Sequence, residues 1–78
     1  MSKEWSTTVA AAEAAAERRQ SAEDEAQRKF DAVRAQFEAA GRSDDATATE
    51  EFKQWMHLRH ETDAAWGAWA MAMDSKPS

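Results

Sequence analysis

Apolar side chains recur along this chain at alternating steps of three and four. Trp5, Val9, Ala12 and Ala16 begin the series, Arg19 and Glu23 interrupt it, and Ala26, Phe30, Val33, Phe37 and Ala40 continue it. Such spacing keeps one stripe on one side of an α-helix and repeats as a heptad seam. The intervening residues are mostly Ala, Glu, Arg and Gln, which favour helix. Asp24/Arg28, Glu25/Lys29 and Arg34/Glu38 stand four apart on the outer faces, where opposite charges support a helix. The pattern predicts a first helix over about residues 4–40.

Gly41 then offers a C-terminal cap, and the polar stretch from Arg42 to Ala46 offers a connection, so that residues 41–47 read as a loop. Thr47 followed by Glu50 has the form of a capping box that opens a second helix. From there Phe52, Trp55, Arg59, Thr62, Trp66, Trp69 and Met73 form another seam, broadened by Met56 and Ala65, over about residues 48–73. A short loop makes the helices antiparallel neighbours. The predicted fold is therefore all-α, a long helical hairpin forming a single domain over residues 1–78. Aligned about the loop, Phe37 falls near Phe52, Val33 near Trp55 and Met56, and Trp66 and Trp69 near Ala22 and Ala15. Bulky residues thus meet small ones.

One alternative concerns the first helix. Arg18 and Arg19 before Ser21, with Glu23, Asp24 and Glu25 after it, are the charges of one helix ending and another starting, which predicts a kink near Ser21 and three helices. If the helix is continuous, it spans roughly 55 Å against roughly 39 Å for the second, leaving about eleven N-terminal residues without a partner. Trp5 and Val9 lie on that overhang. Covering them predicts a homodimer forming a four-helix assembly.

Composition narrows the chemistry. The chain has 78 residues, no Cys and a formal charge of -5. Disulfides and thiolate metal sites are excluded, which leaves oligomerisation as the usual support for so small a domain. Residues 1–42 carry a net charge of -1 and residues 43–78 a net of -4, a balance that disfavours binding to phosphate backbones. No apolar run reaches a membrane span, and the first residues lack the order of a signal peptide, so the expected location is the cytoplasm.

His57, His60 and Glu61 are the residues nearest in type to a metal site. Their order, H-L-R-H-E, departs from H-E-x-x-H and no third ligand follows, so a solvated face is expected, with no metal and no cofactor. Ser and Thr sit where capping explains them, and no catalytic grouping is present; the expected protein is not an enzyme. Four Trp stand out. Core filling accounts for some, while Trp5, Trp66 and Trp69, with Val9, are candidate anchors for a partner protein, since Trp is enriched at interface hot spots. Gly67, inside the second helix, suggests close approach of another backbone or side chain. Asp44, Asp45, Glu50 and Glu51 concentrate acid at the hairpin tip and are candidates for docking a basic surface.

The hairpin pattern resembles, in architecture alone, plasmid-type hairpin RNA binders, secreted W-x-G hairpin proteins and short phage-encoded inhibitors, and architecture does not transfer function. The expected function is a small non-enzymatic binder that modulates or inhibits another protein, of the kind phages and mobile elements use against host defences or activators. Two alternatives are a self-assembling helical scaffold and a nucleic-acid-binding regulator or acidic mimic.

Overall fold

A computed structural model describes residues 2–77. Helix α1 runs over Ser2–Ala39, a 3-10 helix over Ser43–Ala48, and helix α2 over Glu50–Asp74. The described residues contain no strand. The molecule is a rod 59 Å long and about 15 Å across, and α1, at roughly 57 Å, runs nearly its whole length. None of the described helices is long and apolar enough to cross a membrane.

Helix α1 passes through Ser21 without a break. The charges there do resemble a helix junction, yet no Gly or Pro interrupts the backbone, and Gln20 Nε2 donates to Asp24 Oδ1 at 3.1 Å across the supposed junction. The seam also stays in place on either side, with Ala16 and Ala26 both buried. Packing against α2 therefore continues along both stretches.

The helix ends where Gly41 was expected to end it. Gly41 has φ +72°, its N–H donates to Glu38 O at 3.0 Å, and the Arg42 N–H donates to Phe37 O at 2.8 Å. These two bonds are the Schellman pair that satisfies the last carbonyls of a helix. The Arg42 guanidinium lies 5.4 Å from the centre of the Phe37 ring and covers it.

The connection differs from a simple loop. Ser43–Ala48 form a 3-10 helix whose Ala46 is buried, and Arg42 Nε pairs with Asp45 at 2.9 Å. Helix α2 is capped by Thr49 instead of Thr47. The Thr49 hydroxyl accepts from the Phe52 N–H at 3.2 Å and donates to Ala46 O at 2.7 Å. Thr47 is taken up within the 3-10 turn, where its hydroxyl donates to Asp44 O. The expected Thr47/Glu50 capping box does not form, because the 3-10 turn moves the start of α2 by two residues.

That turn also resets the register. Phe52 meets Phe30, with ring centres 5.2 Å apart, and not Phe37, a shift of one heptad. Trp55 stacks on the same Phe30 at 5.3 Å and 23°. The six residues of the 3-10 helix rise about 2.0 Å each, or about 12 Å. This is close to the roughly 14 Å of α1 that extends beyond Phe30 and needs cover. The shift slides α2 toward the start of α1 and removes most of the expected overhang. Trp5 Nε1 donates to Ala72 O at 2.8 Å, and Lys76 Nζ lies 5.6 Å from the Trp5 ring centre. Trp5 and Val9 are half-buried within the chain itself. The eleven-residue overhang, and with it that reason for a dimer, is not present.

The core is thin. Phe30, at 3% exposure, is the largest buried apolar side chain among the described residues; Ala16, Ala26 and Ala46 complete the list. Thr62 is buried at 2% exposure, and its hydroxyl donates to Leu58 O at 2.9 Å, which lets a polar residue occupy the seam. Arg59 is exposed and Leu58 takes its place facing α1.

Candidate interaction surface

Two helices leave most of each other uncovered, so any site on this rod is a helix face. The predicted anchors are distributed as follows. Trp66 is half-buried, donates from Nε1 to Gln20 Oε1 at 3.3 Å, and meets Trp69 edge-on at 5.6 Å and 88°. Trp69 is half-buried, with its indole nitrogen shielded and without a hydrogen-bond partner among the described residues; the Trp55 nitrogen is alike. Trp5 and Val9 belong to the seam, as described. The structure therefore commits the four tryptophans largely to holding α1 and α2 together.

The acidic tip is divided. Asp44 and Asp45 are exposed on the 3-10 turn, Asp45 being paired with Arg42. Glu50 is exposed and lies 3.5 Å from Lys53 Nζ. Glu51 is half-buried, with Oε2 shielded and unpartnered among the described residues. The chain's own cations thus answer two of the four acids, and the four do not form one patch of free charge.

The histidine face carries a different arrangement from a ligand set. Glu61 Oε1 lies 3.6 Å from His57 Nε2, while Oε2 lies 3.6 Å from Arg19 Nη1 on α1. Glu61 was expected to point away from the seam, but the two helices lie close enough there for it to bridge them. Among the described residues no three of His, Cys, Asp and Glu gather where they could hold a metal.

The surface that the sequence reading missed is on the outer side of α2. Residues 64–73 are Ala, Ala, Trp, Gly, Ala, Trp, Ala, Met, Ala and Met, ten in succession without a polar side chain. A helix apolar on every side is ordinarily buried on every side. Here only Ala65, Trp66, Trp69 and Ala72 turn toward α1. Ala64, Gly67, Ala68, Ala70, Met71 and Met73 are exposed, Met71 at 73% and Met73 at 41%. Met73 was expected on the seam; the Ala72 backbone and side chain occupy that side instead. Around Gly67 the space is open, since an added Cβ would meet nothing within 4 Å. The close approach expected at Gly67 is thus not made within the chain.

The facing stretch of α1 shares this character. Residues 5–16 hold a single charge, Glu13, and residues 64–73 none, whereas residues 17–63 hold eight basic and twelve acidic side chains. The charge-free run could have been found from the sequence by asking whether one neighbouring helix can cover a helix apolar on all sides. No family model matches the chain, and no curated protein or solved structure matches it.

Proposed function

We propose that the chain is a non-enzymatic protein-interaction module that acts by covering a helical surface of its partner with the uncharged half of the rod. The observation that carries this reading is the ten-residue apolar run with six of its residues exposed to water. Exposed apolar faces of this kind are characteristic of surfaces that spend part of their time covered. Gly67 and the adjacent alanines would let a partner helix approach closely, and Met71 is a flexible, polarisable contact that adapts to it. The function is then occupancy: the bound surface is denied to, or held for, something else, which is how a protein with no catalytic grouping modulates or inhibits.

The test is a peroxide footprint read by peptide mass spectrometry, with Met56, half-buried on the seam, as the internal reference. Met71 is expected to oxidise several-fold more slowly in a concentrated lysate of the producing cells than in dilute purified protein. Equal rates in the two would defeat the proposal.

A further inference from the structure

The outer stripe of α2 reads His60, Ala64, Gly67, Met71 and Asp74, spaced four, three, four and three. All five are exposed. The stripe is nearly symmetric about Gly67: a polar end, a small or bulky apolar residue, the glycine, and the complementary pair on the other side. We propose that this face binds a second copy of the same chain, α2 against α2, antiparallel about a two-fold axis beside Gly67. The proposal rests on reading the uncharged half as an interaction surface and names its occupant.

Antiparallel pairing places Met71 of each copy within one residue of the level of Ala64 of the other, between Ala64 and Asp63, so the large side chain seats where the small one leaves room. Gly67 meets Gly67, which permits the backbones to come close. Asp74 of each copy comes level with His60 of the other. A two-fold interface requires one patch to complement itself in this reciprocal way.

Charge selects the direction. The loop half, residues 17–63, carries a net of -4, and parallel pairing would set two such halves side by side. The antiparallel arrangement sends them to opposite ends of the assembly, beyond the reach of unscreened repulsion. Apart from the turn of α2 that holds His60, only the nearly neutral halves then overlap.

The chain exposes 5700 Å², about 1,000 Å² more than a compact monomer of its 8.7 kDa, because each of two helices in a rod leaves most of the other uncovered.

Sedimentation equilibrium from micromolar to millimolar concentration tests the proposal, on the full chain and on two variants. The wild type is expected to show a reversible dimer at twice the 8.7 kDa chain mass. Gly67→Leu has open space within its own chain and should keep its helical circular dichroism while its dissociation constant rises at least tenfold. Met71→Glu should do the same by setting an unpaired charge against Ala64 of the second copy. A wild type that stays monomeric at millimolar concentration overturns the second-copy occupant, as do variants that remain folded and dimerise as well as the wild type. The footprint then separates the two readings. A monomer whose Met71 is nonetheless protected in lysate keeps the interaction surface and changes its occupant. A monomer whose Met71 is unprotected in lysate loses both.

Discussion

The two halves of the rod use the same pair of helices to different ends. In the loop half, Phe30, Phe52 and Trp55 form a three-ring cluster, and among the described residues every ion pair falls between residues 19 and 61. In the half remote from the loop, Trp66 and Trp69 meet edge-on, Trp66 reaches Gln20 of α1, and Trp5 caps the end of α2 through the Ala72 carbonyl. The first half has a charged exterior suited to water. The second has few charges, and its α2 side is an apolar exterior that the chain does not cover. Stability and exposure of apolar surface are therefore separated along one axis, and a change in one half should affect the fold while a change on the outer face of the other should affect association.

The largest expected effect is in the aromatic cluster. Phe30→Ala removes the largest buried apolar side chain among the described residues and should cost about 3–5 kcal/mol, most of the stability of so small a domain; loss of helical circular dichroism at room temperature is the expected reading. Trp5→Phe keeps an aromatic ring but deletes the donor to Ala72, at about 1–1.5 kcal/mol. Its signature should be faster hydrogen exchange confined to the last turn of α2, with the loop half unchanged. Thr49→Ala removes the cap of α2 and should lower the stability by about 1 kcal/mol in urea unfolding.

The two glycines should then respond with opposite signs. Gly67→Ala lies in a helix with nothing nearby and should raise stability by about 0.8 kcal/mol, whereas Gly41→Ala forces a side chain into the left-handed region and should lower it by about 1 kcal/mol. The smallest effect belongs to Glu61→Gln, which weakens a partly exposed bridge to Arg19 and should change the unfolding free energy by no more than about 0.5 kcal/mol. A large effect there would mean that the two halves are less separable than described.

The helical hairpin was legible because its signals are local. Seam spacing, helix formers and the Schellman glycine are each read within a few residues, and Gly41 ends α1 as expected. The register was not legible, because it depends on how six residues between the helices coil. Ser43–Ala48 contain no strong helix signal, and a 3-10 turn covering the end of α1 shifts Phe52 by one heptad relative to a flexible loop. The same shift converted Trp5 from an uncovered anchor into a contact between the two ends of the described chain. The uncovered face of α2 was not legible for a different reason: Gly67 and Met71 mark it, and their exposure depends on where α1 lies.

A chain without cysteine permits a direct test of which half meets another molecule of itself. Ala68→Cys places a single thiol beside Gly67, and Ala35→Cys places one on the exposed side of the loop half. Under mild oxidation at the same protein concentration, Ala68→Cys is expected to form a disulfide-linked dimer quickly and nearly completely, since two thiols beside a two-fold axis lie within bonding reach, while Ala35→Cys cross-links slowly. Equal rates for the two positions, or faster linkage at Ala35→Cys, would contradict the assignment of the uncharged outer face of α2 as the surface at which two copies meet.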